Sequence, residues 1–138
     1  MKLNRRIEHC ASTEKLCQIR AEVRQACQQM HFCQEDINLI TLAIDEACTN
    51  IIRYAYSGDE SGRLIVSIFH NESDAIFHLQ DFAKCISPSC LEVRKKNLTE
   101  PGGLGLQLIH QVMDQVQLLP PSSSIGNILE LKKHLPLL

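Results

Sequence analysis

The sequence contains no tryptophan, and aromatic residues make up only 4% of it. Proteins that bind single-stranded nucleic acid stack bases on aromatic side chains, so this scarcity disfavours such a platform. The chain also lacks an excess of positive charge, because 14 Lys and Arg residues stand against 16 Asp and Glu residues, for a net charge of -2. A surface that neutralises a run of phosphates is therefore not expected. We expect no direct contact with nucleic acid.

Long apolar runs are absent as well. Nowhere do about 18 apolar residues follow one another, as a membrane-spanning helix would need. No apolar run of signal-peptide length follows the basic residues near the start. We therefore expect a cytoplasmic protein without membrane contact. The 7 cysteines include no Cys-x-x-Cys pair, which favours reduced, mostly buried thiols over zinc ligands.

What the sequence does contain is the composition of one globular domain, with 44% hydrophobic residues among 138. A chain of this length can bury a core without disulfides or a structural metal. No repeat or composition shift divides it, so we expect a single domain over 1–138. Residues 3–9 are predicted to form a first strand.

Two amphipathic helices are predicted next. Ser12 provides a start signal for the first helix, which should run to about Met30. The acidic pair Glu35 and Asp36 suits the start of a second helix, which should reach about Tyr54. The apolar stripes that carry these predictions recur at steps of three and four: Leu16, Ile19, Val23, Ala26 and Met30, then Ile37, Ile40, Ile44, Ala47 and Ile51.

The pattern then alternates, which is typical of strands. Residues 63–70 and 75–81 predict an antiparallel hairpin, and 82–101 read as a loop. A third helix should open at the glycines that follow, with a strand from about Val116 and a last strand over 128–135. The sum is an α+β fold: a two-layer sandwich of about three helices on one face of a mixed, mainly antiparallel sheet.

Three features could carry chemistry. Glu46 and Asn50 lie four residues apart, so a carboxylate and an amide share one helix face and could hold a cation and orient a hydroxyl. Asp81, at the end of a strand, could accept a hydrogen bond from a ligand amino group. The stretch Gly102, Gly103, Leu104 and Gly105 enters a helix, where backbone N–H groups can approach a phosphate. Taken singly, these could also be a solvated helix face, a turn aspartate and a flexible helix entry.

Taken together and in this order, the stretch 42–56, Asp81 and the stretch 102–106 resemble the GHKL ATPase superfamily. The wording Glu-Ala-x-x-Asn-Ile-Ile, which begins at Glu46, and the small size are most similar to bacterial anti-sigma factor serine-protein kinases. The resemblance implies the Bergerat ATP-binding fold and the cofactors ATP and Mg²⁺. By the same resemblance Glu46 is the general base, Asn50 coordinates Mg²⁺ on the ATP phosphates, and Asp81 binds the adenine amino group. Gly102, Gly103, Leu104 and Gly105 would belong to the lid over the phosphates.

The resemblance also implies partners: a sigma factor, a small anti-anti-sigma protein whose serine receives the phosphate, and a second copy in a homodimer. Arg20 and Arg24, one turn apart on the first helix, are candidate contacts for an acidic partner. The alternative function is a non-catalytic partner-switching module of the same fold. Ala83 and Cys85 favour this alternative, because the family has glycines there and a Cβ at a positive φ costs about 1 to 2 kcal/mol. Asn127 stands near the place of a family threonine.

Overall fold

The structure is a computed structural model that describes residues 2–10, 12–56, 62–84, 103–120 and 125–137. Three predictions concern residues outside these ranges: most of the expected loop over 82–101, the glycine at Gly102, and Cys85. None of the helices within the described ranges is long and apolar enough to cross a membrane.

A five-stranded sheet forms one layer of the fold. Its strands are β1 Lys2–Cys10, β2 Arg63–His70, β3 Asp74–Lys84, β4 Gln115–Leu118 and β5 Ile125–His134. They lie in the order β1-β2-β3-β5-β4, and every neighbouring pair is antiparallel. The prediction of a mainly antiparallel sheet is therefore confirmed, and no parallel pair occurs among these described strands.

The predicted hairpin of β2 and β3 is confirmed, and one side chain holds its turn. Asn71 Oδ1 accepts hydrogen bonds from the backbone N–H groups of Ser73 at 2.9 Å and Asp74 at 2.7 Å. Short amide and carboxylate side chains stabilise turns in this way, because they bond to the backbone two or three residues further on.

Two strand boundaries differ from the prediction. The sequence places the end of β3 at Asp81 and the start of β5 at Ile128, whereas the strands reach Lys84 and Ile125. Their pairing shifts register between Asp81 and Lys84. Gly126 lies in this irregularity with a φ of 103°, a conformation that only glycine adopts without strain. The extra pairing thus depends on a local bulge, which an alternation pattern does not reveal.

Three α-helices form the second layer: α1 Leu16–Gln29, α2 Gln34–Asn50 and α3 Gly103–Val112. As predicted, Ser12 starts the first helical segment, since its hydroxyl accepts a hydrogen bond from Glu14 N at 3.3 Å before a short 3₁₀ turn over Thr13–Lys15. The second helix reaches the predicted length in two parts. Regular α-helix ends at Asn50, and a π-helical turn over Ile51–Ala55 follows it.

The helices pack on one face of the sheet and enclose the core. The predicted stripe of α1 is entirely buried, and that of α2 is buried from Ile37 to Ala47. Alternate residues of the central strands complete the core because side chains of a strand point to opposite faces in turn. These residues are Leu64, Val66, Ile68, Ala75, Phe77 and Leu79.

The first two helices are also joined by an ion pair. Arg20 Nη1 of α1 lies 2.7 Å from Asp45 Oδ1 of α2. Of the two arginines expected to form a surface for an acidic partner, Arg20 is thus paired within the chain, and Arg24 is exposed.

The expectation of mostly buried thiols holds for Cys27 and Cys48, whereas Cys17 and Cys33 are exposed; all four are free.

Candidate functional site

Glu46 and Asn50 lie on one face of α2, and the first turn of α3 packs directly against them. A methyl group built at Gly105 would lie 2.6 Å from Glu46 Oε2 and 3.9 Å from Asn50 Nδ2. A side chain at Gly105 would therefore require the Glu46 carboxylate to move from this position. Glycine at this position lets the backbone of α3 approach the two polar side chains.

The amide of Asn50 has an unsatisfied oxygen. Asn50 Oδ1 is buried and has no hydrogen-bond partner within the described residues. Leaving a buried acceptor unpaired costs about 1 to 3 kcal/mol, so such an atom in a native protein commonly belongs to a ligand site. An amide oxygen is a suitable ligand for a hard cation such as Mg²⁺.

The protein residues alone would not complete a metal site here. No cluster of three or more His, Cys, Asp or Glu side chains suited to a metal ion occurs in the described part of the chain. Mg²⁺ is usually bound by one or two protein oxygens, with water and substrate phosphates completing its octahedron. The donor set at Asn50 therefore fits Mg²⁺ that arrives with a phosphate ligand.

Glu46 carries its carboxylate without a partner. Among the described residues it forms no ion pair, although its side chain is only half-exposed. It lies one helical turn before Asn50, so the two side chains project in the same direction. A carboxylate in this position can accept a proton from a hydroxyl bound beside the amide.

Asp81 lies inside β3 and is almost completely buried, with 5% of its surface exposed. Its Oδ1 accepts two hydrogen bonds, from Asn127 Nδ2 at 2.9 Å and from the backbone N–H of Ala83 at 3.0 Å. Both bonds go to one oxygen, which fixes the plane of the carboxylate. Its second oxygen, Oδ2, accepts no hydrogen bond from the described residues, so it can accept one from a ligand amino group.

Tyr56 connects the helical layer to the strand that carries Asp81. It follows the π-helical turn, and its hydroxyl donates to Arg63 O of β2 at 2.6 Å and accepts from Phe82 N of β3 at 2.7 Å. Gly62 makes room for the ring, because a Cβ there would lie 2.7 Å from three ring carbons. Burial, with the nearby charge of Asp81, raises the pKa of Tyr56 above its ordinary value.

The expected backbone strain beside Asp81 is not found at Ala83. The residues with positive φ in the described ranges are His31 at 68° and Gly126 at 103°. Ala83 therefore has an ordinary conformation, and the cost predicted for a missing glycine does not arise there; Cys85 lies outside the described residues. The glycine that this region requires is Gly126 on β5, where a Cβ would lie 3.4 Å from Asp81 O.

The predicted site residues thus form two groups. Glu46 and Asn50 meet Gly105 between α2 and α3, and Gly103 and Leu104 begin that helix. Asp81 belongs to the sheet and is connected to the end of the α2 segment through Tyr56. Sequence reasoning missed the role of Tyr56, and it noted Asn127 near the place of a family threonine without predicting its contact with Asp81. Neither the hydroxyl bridge nor the amide contact has a periodic signal, because each depends on pairing between strands distant in sequence.

Comparisons with known proteins identify the family of this fold. A family model described as the histidine kinase-like ATPase domain matches residues 10–133. The chain is similar to serine-protein kinase RsbW of Bacillus licheniformis, with 32% identity over 108 residues that cover 72% of this chain and 67% of that protein. It is also similar to serine-protein kinase RsbW of Bacillus thuringiensis, with 30% identity over 117 residues that cover 79% of this chain and 72% of that protein.

Solved structures share the fold at lower identity. The structure of the RsbU and RsbW domains of a Mycobacterium tuberculosis protein matches with a TM-score of 0.65 and 16% identity, covering 96% of this chain but only 32% of the mycobacterial chain. The Acinetobacter baumannii histidine kinase AdeS matches with a TM-score of 0.54 and 15% identity, covering 99% of this chain and 70% of that one. With its helices on an antiparallel sheet, its family match over most of its length and its curated relatives, the chain belongs to the histidine kinase-like ATPase domain family, in the group that includes the serine-protein kinases RsbW.

Proposed function

We propose that this protein is an ATP-dependent serine-protein kinase that also acts as an anti-sigma factor. The observation that carries the proposal is the buried Asn50 Oδ1, which has no hydrogen-bond partner among the described residues and lies with the Glu46 carboxylate at Gly105. A cation ligand and a base within one helical turn, next to the start of another helix, are the groups that phosphoryl transfer requires, since that reaction depends mainly on positioning and neutralisation of charge.

In this proposal Asn50 supplies the protein ligand for Mg²⁺, and Glu46 accepts the proton of the attacking serine hydroxyl. When bound, the cation neutralises charge on the phosphate oxygens. The backbone at Gly105 lies against both side chains, so the N-terminal end of α3 brings its partial positive charge to the same place. Gly102, Gly103 and Leu104 belong to the same phosphate-side segment in the proposal.

Asp81 binds the adenine end of ATP through Oδ2. Asn127 and the Ala83 N–H hold Oδ1, so the free oxygen has one orientation before the nucleotide arrives. A hydrogen bond from an amino group to a charged acceptor contributes about 1.5 to 3 kcal/mol. This contact selects a base that carries an amino group at that position, as adenine does.

The proposed partners are those that the resemblance to anti-sigma factor serine-protein kinases implies. The acceptor is a serine of a small anti-anti-sigma protein. When that antagonist is phosphorylated, the protein binds a sigma factor instead. We propose that the protein works in the cytoplasm as a homodimer and regulates transcription by withholding the sigma factor, without contacting DNA itself.

Two substitutions separate the proposed roles of the α2 residues. Glu46→Gln should retain Mg²⁺-ATP binding while phosphoryl transfer falls by roughly 10² to 10⁴, the usual contribution of a positioned base. Asn50→Ala should instead weaken Mg²⁺-dependent nucleotide binding itself. Calorimetric titration with a non-hydrolysable ATP analogue, with and without Mg²⁺, measures binding, and transfer of labelled phosphate to a candidate antagonist protein from a neighbouring gene measures catalysis. Unchanged transfer in Glu46→Gln, or unchanged Mg²⁺ dependence in Asn50→Ala, would reject the respective role.

A second candidate function is the non-catalytic partner-switching module. The observation in its favour is that Asp81 already accepts two hydrogen bonds within the protein, so its carboxylate is satisfied without a nucleotide. This module would bind its protein partners with equal affinity in the presence and absence of Mg²⁺-ATP. If Asp81→Asn does not change the affinity for the ATP analogue, or if the wild type shows no measurable binding of the analogue, this second function is better supported than the kinase.

A further inference from the structure

Two leucines on α2 are exposed although they continue the face that carries the candidate site. Leu39 is 39% exposed and Leu42 is 46% exposed. Positions 39, 42, 46 and 50 follow one another at steps of three, four and four, so they form one line along the helix. The core side of α2 is the opposite one, where Ile44 and Cys48 are 1% and 0% exposed. The leucines are thus not part of the core, and they lead directly to Glu46.

Among the described residues, no neighbouring element covers this half of the helix face. α3 covers the end of the line at Glu46 and Asn50, where Gly105 makes its close approach. On another side, Asp45 is paired with Arg20 of α1. A group that is to reach Glu46 from solvent can therefore come along the N-terminal half of α2, over Leu42.

We propose that Leu39 and Leu42 form the docking surface for the protein segment that carries the phosphate-accepting serine. The segment binds in an extended conformation along α2. The apolar side chain two residues from its serine contacts Leu42, and the apolar side chain four residues from its serine lies near Leu39. This inference rests on the proposed kinase function, because it takes Glu46 as the group that the serine hydroxyl meets.

Helix and strand geometry set these spacings. Four residues of α-helix span about 6 Å, and seven span about 10.5 Å, so Leu42 and Leu39 lie at these distances from Glu46 along the axis. An extended chain advances about 3.3 Å per residue, and its side chains alternate between two sides. A serine that points to Glu46 therefore has its second neighbour about 6.6 Å and its fourth about 13 Å along the same side. The first and third neighbours point away from the helix.

Charge at the far end of the line agrees with a segment of this kind. Glu35 and Asp36 lie in the first turn of α2, on the N-terminal side of the leucines and thus at the end of the line farthest from Glu46. Acidic side chains there attract a basic residue beyond the apolar ones and repel acidic ones. The partner is thus a basic-apolar segment around serine, which distinguishes it from an acidic docking peptide.

A matched pair of peptides tests the spacing. The first has serine at its centre, leucines at the second and fourth positions on both sides, glycines between them and a lysine at each end. The second has the same composition, with the leucines at the first and third positions. With labelled Mg²⁺-ATP, the first peptide should be phosphorylated with a kcat/KM about tenfold higher, since one buried apolar contact changes affinity by about one decade. Equal transfer to both peptides, or to neither while the antagonist protein is phosphorylated, would overturn the inference.

Substitutions on the protein provide the complementary test. Leu42→Gln and Leu39→Gln keep a good helix former on α2, and each should raise KM for the first peptide about tenfold with an unchanged kcat and an unchanged affinity for the ATP analogue. Leu3→Gln is the control, because Leu3 is also exposed, at 52%, but lies on β1. It should leave KM unchanged. An equal KM in all variants overturns the docking surface while the Glu46-dependent transfer that defines the proposed function persists.

A second copy of the chain is the competing occupant of the same leucines. Sedimentation of the Leu39→Gln/Leu42→Gln variant distinguishes it from the acceptor segment. The docking surface predicts a sedimentation coefficient equal to that of the wild type. A shift to a smaller species would assign the leucines to the dimer interface and overturn the proposal.

Discussion

At the scale of single residues, His31 occupies a backbone conformation that favours glycine. Its φ is 68°, and it follows α1 in a Schellman motif, in which His31 N–H donates to Gln28 O at 3.0 Å and Phe32 N–H donates to Cys27 O at 3.1 Å. The motif ends the helix and buries Phe32, which is 6% exposed. The left-handed conformation costs a residue with a Cβ about 1 kcal/mol.

His31→Gly should therefore stabilise the protein by about 1 kcal/mol and raise Tm by about 3 °C. Thermal unfolding followed by circular dichroism measures the change. The matched control is Gln28→Gly, one turn earlier on an exposed helical position, which should lower stability by about 1 kcal/mol. A lower Tm for His31→Gly would contradict the assignment of strain to this residue.

Tyr56 is the residue on which the connection between the two halves of the site depends. Tyr56→Phe removes the hydroxyl that bridges Arg63 O and Phe82 N, so it should destabilise the fold by about 1 to 2 kcal/mol. It should also weaken binding of the ATP analogue, because β3 carries Asp81. Urea unfolding and calorimetry measure the two effects. If Tyr56→Phe has the stability and the nucleotide affinity of the wild type, the bridge is unimportant.

At the scale of elements, α2 begins without a side-chain cap. Its N-cap residue is Cys33, whose backbone is extended with φ of -69° and ψ of 161°, and no side-chain hydrogen bond satisfies the first turn. Serine in this position accepts a hydrogen bond from the free N–H groups of that turn. Cys33→Ser should therefore stabilise the protein by about 1 kcal/mol in urea unfolding. Cys17→Ser, at an exposed position inside α1, should give no gain, and an equal gain there would point to removal of thiols instead of capping.

The elements that were predictable from sequence are those with a periodic pattern. The stripes of α1 and α2 and the alternation in β2 are local, so the period alone identifies them. The end of β3 and the start of β5 were not predictable, because they depend on a bulge that Gly126 makes possible. In the site, the four-residue spacing of Glu46 and Asn50 was visible in the sequence. The contacts of Tyr56 and Asn127 were not, since strand register brings them to Asp81.

At the scale of the whole molecule, two buried thiols make stability depend on alkaline pH. Burial raises the pKa of Cys27 to about 12. Burial, together with the nearby charge of Asp45, raises the pKa of Cys48 as well. A raised folded pKa means that the folded state binds protons more tightly than the unfolded one. The contribution is therefore fully present below the unfolded pKa of about 8.5 and is lost as pH rises toward the folded value.

The free energy of unfolding should accordingly fall between about pH 9 and pH 12, by about 1.4 kcal/mol per pH unit for each buried thiol. Urea unfolding in reductant at a series of pH values measures this slope. Cys27→Ala/Cys48→Ala should have a shallower slope, although it starts less stable at neutral pH. Cys17→Ala/Cys33→Ala, which removes exposed thiols, should keep the slope of the wild type. If the two double variants have the same slope, burial of the thiols is not its cause.

The π-helical turn over Ile51–Ala55 also has a consequence for comparing related sequences. Its hydrogen bond from Tyr56 N to Ile51 O, at 3.2 Å, closes five residues where a regular helix closes four. In a regular helix the same five residues would turn Tyr56 about 100° further, away from β2 and β3. A homologue with one residue fewer between Asn50 and this tyrosine can thus direct both side chains as here with an ordinary helix. An alignment gap in this segment marks a change of helix type and leaves the site intact.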